Sequence, residues 1–79
     1  AHDFRAQLAL LDGRPRVARE EYRRAIFAEG ENALMAAGMA RSNAALGDLR
    51  AARAWYRRAI RLDPANAALR DSLAVLGGR

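Results

Sequence analysis

Several residue types are missing from the chain, and each absence excludes a class of site. There is no cysteine, which excludes a disulfide framework, a thiolate zinc site and a cysteine nucleophile. There is no lysine for a Schiff base or a phosphate-binding loop, and the one histidine, His2, lies at the terminus. The two serines, Ser42 and Ser72, have no second histidine to activate them. We therefore expect no catalytic site, no metal and no cofactor.

Residues that favour β-strands are also scarce, because the chain has two valines, two isoleucines and no threonine. Alanine supplies much of the hydrophobic content, and it is the best helix former. No apolar run approaches the roughly 18 residues that a membrane-spanning helix needs. We predict one small all-α domain over residues 1–79, without a membrane span.

Charge of one sign dominates the chain. All fourteen basic residues are arginine, and the net charge is +5, which favours an acidic partner. The bias towards alanine and arginine indicates a GC-rich bacterial genome. The chain begins at Ala1 without a signal peptide, so we interpret it as a fragment or a processed piece. Its compartment stays open between cytoplasm and periplasm.

One pattern of nine letters occurs twice. The stretch AREEYRRAI begins at Ala18 and ARAWYRRAI begins at Ala52, and seven of the nine letters match. We call the displacement that carries Ala18 onto Ala52 the repeat shift, and it also carries Gly13 onto Gly47. A fixed period of about 20–50 residues is typical of repeat proteins. We interpret residues 1–32 and 33–66 as two repeats and 67–79 as a lone terminal helix.

Capping and stop signals divide the chain into five helices. Asn32, Asp48 and Asn66 are good N-cap residues. Pro15 suits the first position of a helix, and Gly47 suits the left-handed conformation at a helix end. Three of the predicted helices cover about 3–11, 33–46 and 67–76. The other two begin at 15 and 49 and end at the stop signals Gly30 and Asp63-Pro64.

The pattern resembles the tetratricopeptide repeat family, whose unit is a helix-turn-helix of about 34 residues. The matching residues of the first repeat are Ala6, Gly13, Ala18, Tyr22 and Ala25, and those of the second are Ala36, Met39, Ala40, Asn43, Gly47, Ala52, Tyr56, Ala59 and Pro64. The resemblance implies a solenoid of five antiparallel helices, about two and a half repeats in a right-handed superhelical stack. It also implies a non-enzymatic scaffold or adaptor that binds a peptide or helix of another protein.

The resemblance places the binding site in a concave groove along the first helix of each repeat. Some family members hold the C-terminal carboxylate of chaperone tails there with lysine, asparagine and arginine. The corresponding positions here include no basic residue, so we expect no binding to such tails. The groove residues that the resemblance implies are Asp3, Gln7, Leu11, Leu34, Ala37, Gly38, Arg41, Ala45, Ala68 and Ser72.

Arginines recur in the second helix of each repeat and suggest an alternative function. Spacings of three and four residues place them along one helix face. The candidate basic surface consists of Arg50, Arg53, Arg57, Arg58 and Arg61. No acidic residue lies between Leu49 and Leu62, so this surface is open to nucleic acid or an acidic partner. The simpler interpretation is a solvated outer face, since no interleaved aromatics suit base stacking.

Trp55 stands where the first copy of the pattern has Glu21. We predict that it packs against the following helix, next to Leu69 and Leu73. A partner or self-association surface is the alternative, because tryptophan is enriched in binding hot spots. The end faces of a short stack are expected to be apolar, so self-association stays a third hypothesis for the function.

Overall fold

The chain folds into α-helices joined by short turns. A computed structural model describes residues 2–77, with side chains from residue 4 onward. The helices are α1 (His2–Leu11), α2 (Pro15–Glu29), α3 (Ala33–Ala45), α4 (Leu49–Leu62) and α5 (Ala67–Val75). No strand occurs within residues 2–77, so the all-α prediction is confirmed there. Each predicted helix begins and ends within one position of the observed bounds.

The helix ends have the local chemistry that the sequence predicts. The side-chain oxygen of Asn32 accepts a hydrogen bond from the Met35 N–H at 2.8 Å, and that of Asp48 accepts one from the Ala51 N–H at 3.1 Å. Asn66 caps α5 in the same way. Gly47 has a φ of +82°, which glycine adopts without the steric cost that a side chain imposes. These predicted caps and this predicted stop are confirmed.

Each helix packs against the one that follows it in the chain, and α1 also touches α3. The core consists of two clusters that are related by the repeat shift, which carries Tyr22 onto Tyr56 and Ala25 onto Ala59. The first cluster also contains Ala6, Ala9, Ala18, Met35 and Met39. The second also contains Ala36, Ala37, Ala40, Leu69 and Leu73.

The α1 end of the molecule exposes apolar side chains. Phe4 is 62% exposed and Leu8 is 45% exposed. The repeat shift carries these two residues onto Gly38 and Ser42, which are both buried in α3. The same positions therefore face solvent in α1 and protein in α3, as expected for the end of a helical stack.

The α5 end exposes charged side chains where α3 buries alanines. Arg70 and Asp71 are exposed, and they are the repeat-shift equivalents of Ala36 and Ala37, which are buried in the second cluster with Tyr56. Charged side chains thus replace the alanines that α3 buries. Val75 of α5 is nevertheless 86% exposed, so this end combines charged and apolar side chains, and the expectation of apolar end faces is met there only in part.

The ring of Tyr22 packs directly on the backbone of Gly38. A Cβ atom at position 38 would lie 2.1 Å from Cζ and 2.3 Å from Cε1 of Tyr22. Tyr22 is fully buried, so its ring has no open space to move into. Glycine at position 38 is therefore required for this packing of α2 on α3.

We expect Gly38→Ala to lower the free energy of unfolding by about 1–3 kcal/mol through overpacking. A loss of stability would identify the contact with Tyr22 as its cause. Without that contact the same substitution should stabilise the helix, because alanine is favoured over glycine by about 1 kcal/mol inside an unconstrained helix. Urea denaturation followed by circular dichroism measures the change. Ala54→Gly, at an exposed position in the middle of α4, measures the helix-propensity term alone. A stabilised Gly38→Ala variant would show that the Tyr22 ring does not constrain position 38.

Candidate functional site

Two depressions flank α3, and Arg41 lines both of them. The first has a volume of about 440 Å³ and is lined by Gln7, Leu10, Leu11, Tyr22 and Arg41. The second has a volume of about 370 Å³. It is lined by Ala33, Leu34, Ala37, Arg41, Tyr56, Asp63, Asn66, Ala68, Leu69 and Ser72. We call the two depressions together the α3 groove.

Most of the residues that the family resemblance places in a groove are found together. Seven of the ten line the α3 groove, namely Gln7, Leu11, Leu34, Ala37, Arg41, Ala68 and Ser72. Gly38 is instead buried beneath the Tyr22 ring, and Ala45 is exposed outside both depressions. The side chain of Asp3 lies outside the described residues. Sequence reasoning missed Tyr22 and Tyr56 as groove residues, because their spacing indicated only core positions.

The α3 groove combines apolar walls with few polar groups. Leu11 and Leu34 are exposed, and Arg41 is exposed without an ion pair to another described side chain. The buried hydroxyl of Tyr22 has no hydrogen-bond partner within residues 2–77. A buried polar group without a partner costs about 1–3 kcal/mol.

A third depression opens between α2 and α4, and we call it the α2–α4 cleft. Its volume is about 320 Å³, and it shares no lining residue with the α3 groove. Its lining residues are Arg19, Arg23, Ile26, Met39, Asn43, Asp48, Ala51 and Trp55.

Trp55 is partly buried and packs against both core clusters. One of these has residues of α3, α4 and α5, and the other has residues of α1, α2 and α3, so the packing of Trp55 next to Leu69 and Leu73 stays a prediction. The indole thus also reaches back towards the preceding helices. Its spacing on α4 did not indicate this second contact.

Arg19 and Arg53, which the repeat shift relates, fix neighbouring helices in similar ways. Nη1 of Arg19 donates to the side-chain oxygen of Asn43 at 3.2 Å. Nη1 of Arg53 donates to the backbone oxygen of Leu76 at 3.2 Å. Arg53 therefore helps to hold α4 against the end of α5. It is less available to a ligand than we expected when we placed it in the candidate basic surface.

The remaining arginines of that surface differ in their surroundings. Nη2 of Arg58 lies 2.8 Å from Oε1 of Glu31, and its guanidinium carbon lies 4.8 Å from the centroid of the Trp55 ring. Glu31 belongs to the turn before α3. Sequence analysis considered only acidic residues within α4 and therefore did not predict this pair. Arg50, Arg57 and Arg61 are exposed and form no ion pair with another described side chain.

Comparison of the chain with models of protein families, with curated proteins and with solved structures found no match. Within residues 2–77, no helix is long and apolar enough to cross a membrane. The function is therefore inferred from the α3 groove and the α2–α4 cleft.

We expect the Arg58–Glu31 pair to contribute a coupling free energy of about 0.5–1 kcal/mol, because both side chains are partly exposed. A double-mutant cycle with Arg58→Gln and Glu31→Gln, measured by urea denaturation, isolates it. The Arg24–Glu20 pair, at 3.6 Å and more exposed, is the matched control, with an expected coupling of about 0.3–0.5 kcal/mol. A value near zero for Arg58–Glu31 would contradict a stabilising role for this pair.

Proposed function

We propose that the chain is a non-enzymatic protein-interaction module of the tetratricopeptide repeat type, and that it binds a peptide or helix of a partner protein in the α3 groove. The observation that carries this proposal is that seven positions assigned to the family's groove line two depressions which meet at Arg41. These positions come from α1, α3 and α5, which are far apart in the sequence.

The proposed architecture is about two and a half antiparallel repeats in a right-handed stack. Its support is the recurrence of core positions under the repeat shift and the packing of each helix on the next. The turn glycines Gly13 and Gly47 recur under the same shift and have similar positive φ values of 72° and 82°.

The groove chemistry favours a segment with apolar side chains on both sides of a hydrogen-bond acceptor. Leu11 in the first depression and Leu34 in the second offer apolar contact, while Arg41 between them offers five N–H donors. Either an extended peptide or an amphipathic helix presents such a pattern. Among the described residues, Arg41 is the only basic one that lines the groove, so we still expect no carboxylate-dependent binding of chaperone tails.

We expect Leu34→Glu to weaken groove binding at least about tenfold, because it places a carboxylate in an apolar wall. Peptides selected from a display library and titrated by fluorescence anisotropy provide the measurement. Leu62→Glu is the matched control, since Leu62 is 47% exposed against 49% for Leu34 and lines neither depression. Equal loss in both variants, or selection of no peptide, would argue against the α3 groove as the binding site.

Self-association is a second candidate function, and the apolar α1 end is the observation that favours it. Phe4 and Leu8 are exposed there, and Val17 of α2 is also 49% exposed. Burial of such side chains contributes about 25 cal/mol per Å² of apolar area. A second copy of the chain would supply that burial symmetrically, through the same face of each copy.

Sedimentation velocity across a concentration series tests this candidate. We expect a dimer that forms as the concentration rises and that is lost in Leu8→Glu, because the carboxylate would be buried at the interface. Leu62→Glu, which lies away from α1, should leave the dimer intact. A strict monomer at every concentration excludes self-association through this end.

A further inference from the structure

The α2–α4 cleft lies where the positive charge of the chain is concentrated. Over 15–29 and 49–62, the residues of α2 and α4, the sequence has nine arginines and three glutamates, a net charge of +6. The whole chain has a net charge of +5, so all other residues together contribute −1. The two helices that flank the cleft therefore carry the excess positive charge of the chain, which favours an anionic partner beside them.

Two guanidinium groups line the cleft one helical turn apart, on Arg19 and Arg23. Arg19 is held by Asn43, which is only 3% exposed and whose Nδ2 donates to the backbone oxygen of Met39 at 2.8 Å. A guanidinium has five N–H donors, and the Asn43 oxygen accepts from one. Arg19 forms no ion pair with another described side chain, so it retains donors for a ligand.

The acidic groups near these arginines neutralise them only weakly. Arg23 lies 3.5 Å from Glu20, and both side chains are exposed, so solvent screens the pair. Of the described residues that line the cleft, Asp48 is the one acidic residue, and its carboxylate already accepts the capping hydrogen bond of α4 from the Ala51 N–H. The cleft thus retains net positive charge.

The remaining walls of the cleft are apolar. Ile26 and Trp55 lie on its two helices, and Met39 lies on α3 between them. The indole of Trp55 is fixed by its packing on both core clusters and by the guanidinium of Arg58 over its ring. The volume of about 320 Å³ accommodates a large side chain. Aromatic anchors next to arginines are typical of protein-binding hot spots.

We propose that the α2–α4 cleft docks an acidic segment of a partner protein. One aromatic or long aliphatic side chain of that segment packs against Trp55, and flanking carboxylates pair with Arg19 and Arg23. Arginine suits this role because its planar fork binds a carboxylate in a bidentate manner. A nucleic acid fits less well, because Trp55 is the only aromatic residue in the cleft, is partly buried and has Arg58 over its ring.

The test uses the isotope-labelled chain and blocked peptides in which Phe, Leu or Met is flanked on each side by two glutamates. Trp55 is the only tryptophan, so its indole N–H gives a single unambiguous NMR signal. We expect at least one peptide to shift this signal and the side-chain amide of Asn43. The same peptides with glutamine in place of glutamate should bind at least about tenfold more weakly, since the ion pairs are lost.

Matched charge changes locate the site. We expect the Arg19→Gln and Arg23→Gln double variant to bind at least about tenfold more weakly than the unaltered chain. The double variant of Arg50→Gln and Arg61→Gln removes the same charge from exposed positions outside the cleft, and it should weaken binding about threefold or less. Arg41→Gln, in the α3 groove, should have no effect, which separates this site from the proposed groove.

Three results would overturn the proposal. The first is that no peptide shifts the Trp55 indole signal. The second is equal weakening in both double variants with their amide spectra intact, which indicates diffuse attraction to the whole basic surface. The third is tighter binding of a single-stranded oligonucleotide to the same residues, with the steep salt dependence of phosphate contacts, which assigns the cleft to nucleic acid.

Discussion

The packing of the Tyr22 ring on the backbone of Gly38 is the contact on which both candidate surfaces depend. Any side chain at position 38 would overlap the ring, so the absence of a Cβ atom there allows α2 to lie close against α3. Across the same pair of helices the Arg19 guanidinium donates a hydrogen bond to Asn43, and both residues line the α2–α4 cleft. The same tyrosine lines the first depression of the α3 groove. A single steric constraint thus positions residues that belong to two separate surfaces.

The second copy of the pattern resolves the same packing problem differently. Tyr56 corresponds to Tyr22, but the repeat shift carries Gly38 onto Ser72, which has a Cβ atom. Tyr56 packs with Leu69 and Leu73 of α5 in the second cluster. Leu69 and Leu73 occupy the positions that Met35 and Met39 hold beside Tyr22 in the first cluster, so the two copies differ here at the exchange of Gly38 for Ser72.

Local chemistry accounts for most of what the sequence predicts correctly. N-caps such as Asn32 and turn glycines such as Gly47 act within a few residues, so the helix bounds follow from short stretches. Contacts between distant residues do not follow in this way. The burial of Gly38 depends on where the Tyr22 ring lies, and the Glu31–Arg58 pair joins residues on either side of a whole helix. Side-chain reach across helices, which decides such contacts, leaves no periodic signal in the sequence.

Recurrence of a residue does not by itself indicate a recurring role in this chain. Arg19 and Arg53 do act alike, because each donates a hydrogen bond to the helix that follows. Arg24 and Arg58 do not, since Arg24 pairs with glutamates on its own helix and Arg58 pairs with Glu31 beside the Trp55 ring. The difference follows from two exchanges between the copies, Glu20 for Ala54 and Glu21 for Trp55. Together they remove two acids from the second copy, and the tryptophan adds an apolar wall to the cleft, so α4 has arginines and an aromatic anchor without a glutamate of its own.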